Sequence, residues 1–451
     1  MVRTVKERGL LRTALNSGRT QSGRSKRAAA KTPNRCSSCG CSGMGSLDAS
    51  SDEEDDVSIA SDDTWAFSEA EDTATETNND WEVQLEEALE KVGDKRLATR
   101  EKALTTVERL MGQVYMGEAL SGRRVTLLEA LQRGARNTKS DRERVLALRC
   151  VALWFVNFGA EKEGIEELPP TAKMLHALIA DVAAVSSDVR AAALGALGMA
   201  YFIAAEDYRD VAEFQRNVWR MLDDALDNRD AILARQAFET AGLLLTVVLD
   251  SNTTLAEQLF DSAFDAHVRA LTVESVDVRV AAAQNFALMH DALSERNSEK
   301  PIFGNRQDEV VGILEMLRNE PTQHHARKVV LAQRKPIRDI LLTIKEKDSP
   351  KLRLVIKGRV LDFNDWTRIL RLKAFRTILQ GGLQHQFVNN PLMHDVFDVE
   401  FDIGSEDYLH NVARVVVGPS SDLAKSRTLD LRKRRDARWI SQHYASDSGE
   451  D

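Results

Sequence analysis

Seven basic side chains, Lys425, Arg427, Arg432, Lys433, Arg434, Arg435 and Arg438, fall between Asp422 and His443, a segment whose acids are Asp422, Asp430 and Asp436. Its composition favours a helix, and such a helix presents guanidinium groups that pair bidentately with phosphates. Binding of that kind is driven by counterion release and weakens steeply with salt. A second basic stretch contains Arg327, Lys328, Arg334, Lys335 and Arg338, beside His324 and His325. Neither set comes with a base-reading arrangement, so the chemistry suggested is recognition of the backbone or shape of structured RNA. The plain alternative is two solvated charged faces.

Other reactive groupings are scarce. Cys36, Cys39 and Cys41 supply three soft ligands where structural zinc takes four, and no fourth Cys or His lies near, so no metal is expected. There is no G-x-x-x-x-G-K-[ST], no strand-led G-x-G-x-x-G, no G-x-S-x-G and no H-E-x-x-H. These absences remove the usual reasons to expect an enzyme, a cofactor or a small-molecule substrate, although an unrecognised enzyme stays open as a third reading. The nine histidines are scattered. Trp366, Phe375 and Phe387 fall at helical spacing and read as core rather than as a base-stacking platform.

The elements that must position these cations are legible in the charge distribution. The overall net charge of −9 conceals a partition: residues 1–35 carry +9, residues 36–90 carry −17, residues 324–376 carry +10 and residues 377–451 carry −4. Four regions follow: a disordered leader over 1–79, basic then acidic; helical repeats over 80–323; a basic domain over 324–403; and a tail with a basic helix over 404–451. In the leader, Arg24, Lys26 and Arg27 suit a solvated arm, a nuclear-import or nucleic-acid arm, or a transit peptide. The serines among carboxylates in Ser46–Asp63 suit a solvated tail, a phosphoacceptor tract or an acidic docking segment.

Helix periodicity begins at Asp80 with Trp81, Leu85, Ala88, Leu89 and Val92. An arginine followed by a small or apolar run then recurs at Arg100, Arg144, Arg190, Arg235 and Arg279, at intervals of 44, 46, 45 and 44 residues. That period lies in the window of HEAT and armadillo units. The expected fold is therefore an all-α solenoid, with each arginine spanning a turn to an acid on its neighbour. Beyond the repeats, Leu352–Phe363 reads as a hairpin around Lys357 and Gly358, and Asn364 or Asp365 as the cap of a helix that Gly381 and Gly382 end. The longest uncharged apolar stretch, Ala191–Ala205, has 15 residues. A spanning helix needs about 20, so no membrane crossing is expected. The leader shows no secretory signal, and the crowded cysteines do not form a disulfide framework, which together favour a reducing intracellular compartment.

The chain resembles the interferon-related developmental regulator family. The resemblance rests on Lys139-Ser140-Asp141, on the runs from Phe202 to Asp207 and from Val276 to Ala282, and on His325-Ala326-Arg327-Lys328 and Arg338-Asp339-Ile340-Leu341. Trp366, Phe375, Leu379, Gly382, His385, Asn390, Val396 and Phe397 add to it. It implies an armadillo-like fold and a non-enzymatic regulator of gene expression, in a family associated with transcriptional co-regulation and with translationally idle ribosomes, where a C-terminal helix enters the messenger path. Residues 422–443 would be the counterpart of that helix. Val412–Pro419 and the acidic ending Asp447–Asp451 depart from the family pattern. The resulting expectation is a cytoplasmic or nuclear protein that binds ribosomes or ribosomal RNA through its basic segments and holds them inactive. The alternative is a nuclear scaffold that binds other co-regulator proteins.

Overall fold

The computed structural model describes residues 80–117, 120, 122–137, 139–294, 301–320, 327–357 and 359–399. They form helix pairs. The first helices of the pairs are α1 (Asp80–Val92), α3 (Arg124–Ala135), α5 (Lys162–Ala180), α7 (Tyr208–Asp227), the shorter α9 (Thr253–Ser262) and α10 (Phe264–Leu271), and α12 (Gln307–Arg318). The second helices are α2 (Leu97–Gln113), α4 (Asp141–Phe158), α6 (Ser187–Ala204), α8 (Ala231–Ser251), α11 (Val276–Ser294) and α13 (Arg327–Glu346). Each second helix packs on its own first helix and on the next second helix, giving a continuous inner row with an outer layer on one side. This is the solenoid expected from the repeats.

Local chemistry sets the helix starts. Ser140, Asp230 and Asn252 accept from the backbone N–H groups of Glu143, Leu233 and Leu255 at 3.2, 3.1 and 3.0 Å, satisfying donors that a helix leaves unpaired. The inner helices are apolar on most sides because both sides are covered. In α4, Leu148, Val151, Leu153, Trp154, Phe155 and Phe158 are all fully buried. Helix α8 is the one among the described residues long and apolar enough to cross a membrane, and most of it is buried among its neighbours.

The recurrent arginine occupies the fourth position of α2, α4, α6 and α11. From there it reaches back to the carbonyl end of the preceding outer helix: Arg144 Nε donates to Ala135 O at 3.2 Å and Arg190 Nε to Ile179 O at 2.9 Å. It also meets an acid of the following unit, Arg190 with Asp230 at 3.7 Å and Arg279 with Glu320 at 3.3 Å. The tightest rung is Arg100 with Glu143, a bidentate pair at 2.6 and 2.9 Å whose partners are both buried. Arg235 sits one residue later in its helix. The added rotation of about 100° per residue turns it outward, so its side chain is 45% exposed and reaches Asp277 only at 3.9 Å.

The described residues of the basic region 324–403 end the inner row with α13 and then pack back along it. After α13 come β1 (Leu352–Ile356) and β2 (Arg359–Phe363), antiparallel with Val355 opposite Val360, then α14 (Trp366–Leu379), α15 (Leu383–Asn389) and α16 (Pro391–Phe397). Asp365 caps α14 through the Arg368 N–H at 2.7 Å. Arg371 donates to Thr246 Oγ1 and O at 3.0 and 3.2 Å and pairs with Asp250. Lys373 reaches Gln284 and Glu239 at 2.8 and 3.2 Å. Gln386 donates to Met111 O at 3.0 Å, and Asn390 to Val156 O at 3.0 Å. The rings of Phe375 and Phe202 lie 5.9 Å apart. Gly382 crosses the backbone of Gly112 so closely that a Cβ would fall 2.1 Å from the Gly112 carbonyl oxygen.

One buried histidine belongs to this core. His267 lies among the rings of Trp219, Phe238, Phe260 and Phe286 at 5.1, 5.0, 4.7 and 5.6 Å. Its Nδ1 donates to Ala263 O at 2.8 Å, and Asn285 Nδ2 lies 3.4 Å from its Nε2. Desolvation lowers its pKa to about 4, the Ala263 bond opposing only part of that effect; burial, with Lys347, does the same to His290.

Two outcomes follow. Arg100→Met alone strands a buried carboxylate and lowers unfolding free energy by on the order of 3 to 5 kcal/mol, whereas Arg100→Met with Glu143→Leu recovers much of the loss; urea unfolding of the three proteins measures it. Because the folded-state pKa of His267 lies below its ordinary 6.5, its contribution is complete above pH 6.5 and declines as pH falls towards 4, by about 3 kcal/mol. The urea midpoint of the wild type should drop over that interval, and that of His267→Phe should drop less.

Candidate polyanion-binding surface

Helix α13 is two-sided. Ile337, Ile340, Leu341 and Ile344 are buried against the inner row. Lys335 and Arg338 are exposed on the other side, one turn apart. Among the described residues, Arg338 has a long contact with Asp339, at 3.5 Å. Arg327 and Lys328 lie in the first turn of the same helix.

Arg334 is oriented differently. Its Nη2 donates to the Glu320 carbonyl at 3.2 Å, while the Glu320 carboxylate accepts from Gln333 at 3.0 Å and forms an ion pair with Arg279 at 3.3 Å. Arg334 thus fastens the start of α13 to the end of the α12 segment as well as contributing charge. Lys425, Arg427, Arg432, Lys433, Arg434, Arg435 and Arg438 lie outside the described residues, as do His324, His325 and the cysteines of the leader.

The segment's net charge overstates what faces outward. Arg371 and Lys373 are held by Asp250 and Glu239 of the inner row, and Lys345 pairs with Glu315. In the other direction, the sequence reading passed over the hairpin, where Lys351, Arg353, Lys357 and Arg359 are all exposed. Their signal was the alternation of that segment, which sends one residue in two outward. It also passed over Arg209, Arg216 and Arg220, spaced by 7 and 4 along α7, which line a groove of about 630 Å³ with Glu213 and Leu255.

Among the described residues, no group of three or more His, Cys, Asp or Glu is placed to hold a metal. Cys150 is fully buried, and burial raises its thiol pKa well above the ordinary range, which keeps it protonated and unreactive. The arrangement therefore offers fixed positive charge on a rigid helical support.

Comparison with known proteins points the same way as the repeats. The family model described as interferon-related developmental regulator matches residues 44–345. Interferon-related developmental regulator 1 of Sus scrofa is 24% identical over 332 residues, covering 72% of each chain. The human protein of the same name is 23% identical over 333 residues, again 72% of each. Interferon-related developmental regulator 2 of Mus musculus is 22% identical over 326 residues, covering 70% of this chain and 72% of its own. The matched residues take in every arginine rung and run almost to the end of α13, so the chain belongs to the interferon-related developmental regulator family.

Proposed function

We propose that this member of a family named for regulation acts without catalysis, by binding ribosomal RNA through its basic segments and holding ribosomes translationally inactive. The observation that carries the reading is the stripe on α13, where Lys335 and Arg338 are exposed on a helix whose opposite face is locked into the core. Cations on a backbone already held in place lose little backbone freedom on meeting phosphates, and the exposed cations of the hairpin extend the positive field. In this reading Arg327, Lys328, Arg334, Lys335 and Arg338 meet RNA phosphates. Lys425, Arg427, Arg432, Lys433, Arg434, Arg435 and Arg438 occupy an RNA-lined channel and exclude messenger.

The protein would work in the cytoplasm and in the nucleus, with Arg24, Lys26 and Arg27 serving import. The second reading is a nuclear scaffold that holds co-regulator proteins on the concave solenoid and the acidic leader; α14–α16 pack on the inner row, which leaves it the outer helices and the leader. No particular observation favours it.

Sedimentation with ribosomal particles tests the proposal. The full chain should cosediment at low salt and dissociate as salt rises, and Lys335→Glu with Arg338→Glu should weaken binding and lower the slope of log K against log salt by roughly 2. A chain that never cosediments at low salt defeats the reading. Deleting residues 1–35 should abolish nuclear accumulation in cells and leave cosedimentation unchanged; loss of both would tie the leader to RNA binding instead.

A further inference from the structure

The hairpin is covered on one side only. Leu354, Ile356, Leu361 and Phe363 are buried, while Val355 and Val360, opposite each other across the two strands, are 59% and 53% exposed. Beside them Arg353 and Asp362 bond at 2.9 Å. The sheet consists of these two strands, so each has an outer edge with no strand beside it among the described residues. Natural proteins seldom leave such edges bare beside exposed valines, because edges recruit further strands.

We propose that residues 412–417 of this same chain dock on the hairpin as its third strand. The run Val412-Ala413-Arg414-Val415-Val416-Val417 lies beyond Val399, the last described residue. It is rich in β-branched residues and free of glycine and proline, with Gly418 and Pro419 ending it. As a strand it has one wholly apolar face, Ala413, Val415 and Val417. The other face, Val412, Arg414 and Val416, repeats the mixture of valine and charge on the hairpin's exposed side.

Position and charge favour this occupant over others. The Phe397 ring packs 5.6 Å from Phe363, the last residue of β2, and Val399 packs at the edge of the same core. The last described residues therefore lie beside the hairpin. Twelve residues separate Val399 from Val412; they reach about 40 Å when extended, against roughly 17 Å for the length of a five-residue strand. That connection carries Glu400, Asp402, Glu406 and Asp407, opposite in sign to Lys351, Arg353, Lys357 and Arg359 around the hairpin. Docking by strand addition would start the basic segment 422–443 a few residues from the hairpin. The inference concerns the placement of the tail and stands whether or not the partner of that segment is RNA.

Hydrogen–deuterium exchange of the full chain tests it. Amides of 412–417 should exchange on the order of tenfold or more slower than those of the last residues of the chain. Val415→Lys with Val417→Lys should return them to fast exchange and speed exchange in 352–363, with the helices unchanged. A photoreactive p-benzoylphenylalanine in place of Val360 should crosslink within one molecule to residues 408–420. Fast exchange of 412–417 in the wild type, a hairpin indifferent to the double substitution, or crosslinks only to other segments would each overturn the proposal. A covalent dimer would assign the hairpin to a second copy and overturn it equally.

Discussion

The arginine at the fourth position of the inner helices is the contact on which the rest of the architecture depends. An inner helix begins where an outer helix has just ended, so unpaired carbonyls and unpaired N–H groups come together at every turn. A guanidinium with five donors can serve the carbonyls of one helix and a carboxylate of the next unit in a single side chain. Arg100 and Arg190 do both, Arg144 holds the Ala135 carbonyl and pairs with Asp141 of its own helix, and Arg279 meets Glu320, all from equivalent positions. A lysine would supply the charge without the fork.

The same electrostatic logic governs the return of the chain over its own inner row. The repeats are mildly acidic and the segment after them is strongly basic. Part of that complementarity is consumed internally, by Arg371 on Asp250 and Lys373 on Glu239, and part remains outside on α13 and the hairpin. One segment thus has two uses: cations near its middle and end bind the solenoid, and cations on its outward faces carry the charge available to a partner.

Much of this was legible in the sequence, for identifiable reasons. The repeats could be read because the arginine returns at a nearly constant interval and because Ala-rich inner helices keep their period. The hairpin and the cap at Asp365 could be read because turn and cap chemistry are local. What escaped was long-range: Gln386 meets Met111 and Arg371 meets Thr246 across well over a hundred residues, and no periodicity reports such a contact. Counting charge along the chain counted Lys373 with Lys335, although one faces the core and the other solvent. Arg235 looked like an equal member of its series, and only the helix start shows it one position late.

The backbone crossing of Gly112 and Gly382 has a mechanical consequence. Stacked-repeat proteins ordinarily behave as springs, stretching along their axis and unravelling from whichever end frays first. Here the first inner helix is bolted to a segment that is also tied to Thr246, Glu239 and Gln284 far along the row. The array is braced like a truss, so a load applied to the first inner helix is shared with helices far along the row.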